Sequence, residues 1–242
     1  MQRWQDISND PNAAEVMISR RAAIAQARTG MLIPDRVAYL CELAAGKSVL
    51  DIGVVEHTRD AVTSPAWLHG NLRRHAKSCR GVDILESEVE HLKSLGYDVI
   101  CADITRAALP ETFDLIIGGE VLEHLGLPGP FMANCAKMLG PSGRLVITAP
   151  NPWYCNAIIK NSRRRSTFVD SADHVAWYDA STLCELGLRA GLQLQRFAGI
   201  GPGDSKTIRA MLFFHAVKPA LMGLGYAAEL FSKSIIYEFV RA

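Results

Sequence analysis

Long apolar runs are missing from this chain of 242 residues. No stretch reaches the roughly twenty uninterrupted apolar residues that a membrane-spanning helix needs, so no span is expected. Charge of one sign is also missing: 26 Lys and Arg stand against 25 Asp and Glu, a formal net charge of +1. That balance supplies no general pull toward nucleic acid or an anionic membrane. Six cysteines are present but none forms a Cys-x-x-Cys pair. Their scatter argues against a zinc ribbon or a disulfide framework and suits a reducing cytosol, so a cytoplasmic protein is expected. The opening "MQRWQDISND" has no apolar core of a secretory signal. There is no internal repeat and no low-complexity linker, so one domain over residues 1–242 is expected. What is present in quantity is apolar residue, 49% of the chain, enough for a sizeable core.

Residues 11–29 and 33–45, rich in Ala, Leu, Arg and Glu, read as helices. From Lys47 onward short apolar runs alternate with amphipathic segments. "KSVLDIG", "CRGVDI", "YDVICADI", "FDLIIGG", "GRLVITAP", "LQLQRFAGI" and "SIIYEFVRA" are strand candidates, and helical patterns lie between most of them. Near-continuous apolar runs mark strands buried on both faces. Strands alternating with helices imply right-handed βαβ units in a mostly parallel, doubly wound, Rossmann-like α/β sheet. Ligands in such sheets bind at the carboxyl ends of the strands, near the topological switch point.

Those ends carry Asp51-Ile52-Gly53, Asp83, Asp103, Gly118-Gly119-Glu120 and Thr148-Ala149-Pro150-Asn151. Polar residues and glycines end strands in any case, but successive acids in phase on one rim point to a site.

The ordered set "VLDIG…GVDI…ADI…FDLIIGGEVLEHL…GRLVITAPNP" resembles a class I S-adenosylmethionine-dependent methyltransferase, from about Lys47 to the C-terminus. The resemblance implies a seven-stranded sheet whose last strand, "SIIYEFVRA", inserts antiparallel. It implies N-terminal helices over 1–46, a cofactor-binding half over 47–150 and an acceptor-side half over 151–242. It places Asp83 on the ribose hydroxyls, Asp103 near the adenine amino group, Asp51 and Gly53 beside the methionine end, and Glu120 close to the transferred methyl. His57, Ile84 and Ile104 flank these as further cofactor contacts. A carboxylate accepting from two hydroxyl donors is sound chemistry for Asp83.

The family's first motif usually reads Asp-x-Gly-x-Gly-x-Gly. Here Val55 and His57 replace the second and third glycines, so the loop must take another path, because glycine is what lets backbone approach a ligand closely. The same departure disfavours a nicotinamide dehydrogenase, whose pyrophosphate needs a glycine turn at a helix N-terminus.

Glu120, Glu123 and His124 share one face if a helix starts after the fourth strand. With His174 they make a candidate site for magnesium or manganese, which mixed carboxylate and imidazole ligands suit better than structural zinc. This Glu-x-x-Glu-His turn with a later His is similar to the small-RNA 3′-end 2′-O-methyltransferases. Ubiquinone-pathway O-methyltransferases and polysaccharide methyltransferases share the Glu-x-x-Glu-His piece. Metal-free relatives also carry "EVLEH", with Glu120 on the cofactor and His124 shaping the pocket. His124 and His174 are then candidate bases, and Asp173 a carboxylate that orients His174.

A metal chelated by two neighbouring hydroxyls lowers the pKa of the attacking one. This favours O-methylation of a saccharide or another vicinal diol. RNA ends, quinols or phenols, and a non-catalytic scaffold are the alternatives. "KNSRRRSTF", with Lys160 and Arg163 to Arg165, is expected to be a basic loop over the acceptor. Trp153, Tyr154, Trp177 and Tyr178 are candidates to stack on an acceptor ring. The apolar insertion at about 204–231 is expected to be helical and covered, by the domain itself or by a second copy in a homodimer.

Overall fold

The structure is a computed structural model and describes residues 2–56, 62–164, 171–201 and 218–242. His57, Arg165 and the insertion up to residue 217 lie outside the described residues.

Among the described residues the chain forms β1 (Arg28–Ile33), β2 (Ser48–Ile52), β3 (Ser78–Asp83), β4 (Val99–Cys101), β5 (Phe113–Gly119), β6 (Leu139–Pro150), β7 (Leu192–Ile200) and β8 (Ser234–Arg241). They make one sheet in the order β1-β7-β8-β6-β5-β2-β3-β4. β8 runs antiparallel to both β6 and β7, and the other pairs are parallel. The helices are α1 (Ala14–Ala27), α2 (Arg36–Ala44), α3 (Leu68–His75), α4 (Glu86–Ser94), α5 (Pro128–Met138), α6 (Cys155–Arg164), α7 (Ala180–Arg189) and α8 (Lys218–Gly223).

Alternate residues of the central strands feed two core layers, because successive strand side chains point to opposite faces. Leu50, Ile116 and Ile147 pack with Phe131, Met132, Tyr237 and Phe239 on one face. Val49, Leu115, Ile117 and Val146 pack with Leu40 and Leu72 on the other. Both faces are therefore covered, which is why these strands read as continuous apolar runs.

Two expectations need correction. The sheet has eight strands, not seven. β1 occupies residues read partly as helix and pairs parallel with β7 at the sheet edge. Thr29, Gly30 and the apolar Met31 to Ile33 give up the helix after Ala27, and Gly30 sits at φ 65, which a helix cannot use. The basic "loop" over the acceptor begins as α6, with Arg163 and Arg164 in its last turn, where cations complement the helix dipole. The call of a helical, covered insertion falls mostly outside the described residues; its described part holds α8 and a short 3-10 turn. Ala228 and Phe231 are buried in a short 3-10 turn, whereas Leu224 and Tyr226 stand in solvent. Among the described residues, no helix is long and apolar enough to cross a membrane.

Candidate active site

Register brings the strand ends together. Ile52 lies beside Val82 and Gly118 beside Ile52, so the residues that follow β2, β3 and β5 emerge on one rim. Gly119 pairs with Thr148 and Pro150 with Ser234, which adds β6 and β8. A cavity of about 800 Å³ opens there, within the range of small-molecule sites. Its wall includes Arg36, Gly53, Val55, Asp83, Ile84, Asp103, Ile104, Glu120, Glu123, His124, Asn151, Tyr154, Asp173, His174, Trp177 and Ser234.

Gly53 turns the chain at φ 81, and a Cβ there would meet Val121 Cγ2 at 2.5 Å. Glycine is required at this point on both counts. The next residues bend back so that Val55 N–H donates to Asp83 Oδ2 at 2.9 Å. Asp83 Oδ1 accepts from Ile84 N at 2.8 Å and Leu85 N at 3.1 Å. Three backbone donors thus fix the carboxylate at the cavity edge, with lone pairs to spare for hydroxyl donors. Asp103 accepts from the Thr105 amide at 2.9 Å and the Thr105 hydroxyl at 2.6 Å. The Thr105 hydroxyl first, and then its amide and Arg106, hold the Asp103 carboxyl below its ordinary range. Exposed Ile84 and buried Ile104 provide apolar wall between these two acids.

Asp51 is not on the cavity wall. It follows the phase of Val49 and faces α3, where its Oδ2 lies 3.0 Å from His69 Nδ1 in a buried pair. Strand alternation decides this: Asp51 shares the face of Val49, which packs against α3, and not the face of Leu50 and Ile52.

The Glu120 to His124 turn also departs from a single helical face. Glu120 has φ 55, its N–H donates to Thr148 O at 2.9 Å, and only Leu122–His124 form a 3-10 turn. Glu120 Oε1 accepts from Ser234 Oγ at 2.7 Å. Glu120 therefore parts from Glu123. The ligand atoms of Glu123, His124 and His174 gather within 4.8 Å of one another, without Glu120. Glu123 is 1% exposed, and neither carboxylate oxygen has a hydrogen-bond partner among the described residues. Burial, aided by the Glu120 charge, pushes its carboxyl up to about 7. His124 Nδ1 lies 3.0 Å from Asp173 Oδ2, and the His124 and His174 rings meet edge to face at 4.8 Å. The Ser171 hydroxyl, and then the neighbouring histidines, hold Asp173 below its ordinary range. Asp173 thus orients His124, not His174 as the sequence suggested.

The aromatic candidates separate. Tyr154 and Trp177 line the cavity, Tyr178 is buried, and Trp153 donates through Nε1 to Asp179 at 3.1 Å.

A family described as a methyltransferase domain matches residues 24–196. The chain belongs to that family. It is an S-adenosylmethionine-dependent methyltransferase. The chain is 30% identical over 177 residues to a ubiquinone biosynthesis O-methyltransferase of Coxiella burnetii (strain Dugway 5J108-111), covering 63% of this chain and 71% of that one. It is 28% identical over 130 residues to the enzyme of the same name from Parvibaculum lavamentivorans, covering 49% of this chain and only 51% of that relative. In fold it is similar to the magnesium protoporphyrin IX methyltransferase of Synechocystis PCC 6803 with bound S-adenosylhomocysteine. That match has a TM-score of 0.55 and 16% identity, covering 99% of this chain and 93% of that one.

This methyltransferase carries wall residues that the sequence did not single out. Arg36 enters from the first turn of α2, before the first central strand, with Nη1 3.4 Å from Thr148 Oγ1. Ser234 enters from the start of β8. Nothing in spacing links either to the Gly53–Asp83 region. The only signal in the sequence was a basic residue ahead of the first central strand.

Proposed function

We propose that the protein transfers the methyl group of S-adenosylmethionine to one hydroxyl of a small molecule that bears two neighbouring hydroxyls. The observation that carries this reading is Glu123, a buried carboxylate whose oxygens have no described partner, beside His124 and His174. Unpaired buried carboxylates are costly, and a cation or a hydroxyl-bearing ligand removes the cost. The donor set, one carboxylate and two imidazoles from Glu123, His124 and His174, suits a divalent transition ion such as manganese better than magnesium, with Glu120 left on the cofactor side. Such an ion, when bound, acidifies a coordinated hydroxyl.

The protein's own groups do the rest. Asp83 accepts the ribose hydroxyls and Asp103 the adenine amino group, while Ile84 and Ile104 cover the base. Arg36, on the cavity wall beside Gly119, is the cation for the cofactor carboxylate. Glu120, held by Ser234, lies toward the sulfonium. Asp173 accepts from His124 Nδ1–H, which fixes the tautomer and leaves Nε2 with the lone pair to hold an ion or take a hydroxyl proton. Tyr154 and Trp177 give the acceptor flat apolar faces. These faces and the names of the relatives favour a quinol-type aromatic diol over the saccharide expected from the sequence.

The test is turnover on an aromatic vicinal diol, its mono-hydroxy analogue and a saccharide, before and after exhaustive chelation. Turnover on the diol that falls at least tenfold on chelation, with S-adenosylhomocysteine binding retained, is expected. Equal rates on the mono-hydroxy analogue, untouched by chelator, would replace the ion with His124 as a plain base.

A further inference from the structure

The cofactor loop lacks two of its expected glycines yet still delivers a backbone N–H to Asp83, and the means of doing so lies outside the loop. We infer that Trp67 is a positioning residue for cofactor binding, its indole N–H clasping the Val54 carbonyl and so aiming the Val55 N–H at Asp83. The inference rests on the assignment of Asp83 to the cofactor ribose.

Gly53 N and Val54 N both point to Val82 O, at 2.8 and 3.4 Å, and these bonds hold only the inner side of the turn. On the outer side Trp67 Nε1 donates to Val54 O at 3.1 Å in a buried bond. One residue later Val55 N reaches Asp83 at 2.9 Å. Val54 joins Trp67, Val89, Leu92 and Val99 in a separate apolar cluster. The loop is thus pinned by a side chain driven into a core and by a side-chain donor. A glycine loop would instead come close by having no side chains.

The surroundings are built to hold the indole. Trp67 is 3% exposed and meets Tyr97 edge to face at 4.9 Å, with the Arg73 guanidinium 4.8 Å over the Tyr97 ring. A Cβ on Gly70 would strike Trp67 Cε3 at 2.8 Å, so that glycine makes the room. Removing the donor leaves the buried Val54 carbonyl without a partner among the described residues, and the loop gains a reason to swing toward water.

Calorimetry with S-adenosylhomocysteine compares the wild type with Trp67→Phe, Val89→Ala and Asp83→Asn. Trp67→Phe keeps an aromatic ring at the site but loses the donor and part of the indole's volume, the second of which Val89→Ala controls for, and about tenfold weaker binding is expected. Turnover at saturating cofactor and the KM for the acceptor stay near wild type. Val89→Ala loosens the same cluster without touching the bond, so its melting temperature falls while its affinity stays within twofold. Affinity of Trp67→Phe within twofold of wild type, or an equal loss in Val89→Ala, overturns the clasp. Unchanged affinity in Asp83→Asn instead overturns the ribose assignment. Should Trp67→Phe not fold, hydrogen exchange at Trp67 Nε1–H in the wild type decides. Saturation with S-adenosylhomocysteine should slow it at least tenfold, and an unchanged rate overturns the proposal.

Discussion

Glu123 is where one residue couples stability to chemistry. Its carboxyl titrates near 7 in the folded chain because burial disfavours the charge. The unfolded chain has already lost that proton in the same range, so the native state binds more protons between about pH 4.5 and pH 7. By linkage, stability of the metal-free protein falls as pH rises through this window and levels off above it, by about 3 kcal/mol in all. Glu123→Gln should flatten that slope and unfold later than wild type at pH 8, as read by urea denaturation across pH. A divalent cation should flatten the wild-type slope too. A wild-type curve already flat from pH 5 to 8 would mean that the carboxylate finds partners in solution. Asp83 has a different role, because it satisfies three backbone donors as well as facing the cavity. Asp83→Ala should weaken cofactor binding by about 1.5–3 kcal/mol in calorimetry.

The loops and caps, as elements, turn on backbone geometry. Gly53→Ala forces a Cβ into a left-handed turn and against Val121 Cγ2. It should lower the melting temperature and abolish measurable cofactor binding together, by an effect on the loop that no side-chain repacking can relieve. Helix α7 opens on Asp179, whose Oδ1 accepts from the Ser181 and Thr182 amides, 3.0 and 2.9 Å away, and whose Oδ2 accepts from Trp153 Nε1. Asp179→Ala should cost about 1 kcal/mol of stability as a lost cap. Thermal unfolding measures it, and turnover per folded molecule should not change.

Across the whole molecule, β8 ties the sheet together by pairing with β6 and β7 at once. Behind it Glu238, 1% exposed, takes Tyr39, Arg144 and Arg196 as partners. Arg144 and Arg196 keep part of their side chains in water, so Glu238→Ala strands no buried cation but removes the buried acceptor of these bonds, and it should destabilise the fold by about 1–3 kcal/mol. Glu238 is not on the cavity wall, so chemical denaturation should register the loss while cofactor affinity in the folded fraction stays unchanged.

The sequence by itself determined the α/β class, the central strands and the rim on which Gly53, Asp83, Asp103 and Glu120 fall. Those features are local: a strand buried on both faces must be apolar throughout, and its end must turn. It did not determine β1, because an edge strand that is mostly exposed has too little two-sided burial to leave an apolar pattern. The direction of Asp51, the parting of Glu120 from Glu123 and the pairing of Asp173 with His124 were decided only by tertiary structure. Each depends on a dihedral or a register: strand phase for Asp51, φ 55 at Glu120, and for Asp173 a loop returning from far along the chain. Arg36 reaches the site from α2, and Trp67 reaches the loop after β2 from the residue that opens α3; spacing along a chain carries no record of which element lies over which strand end.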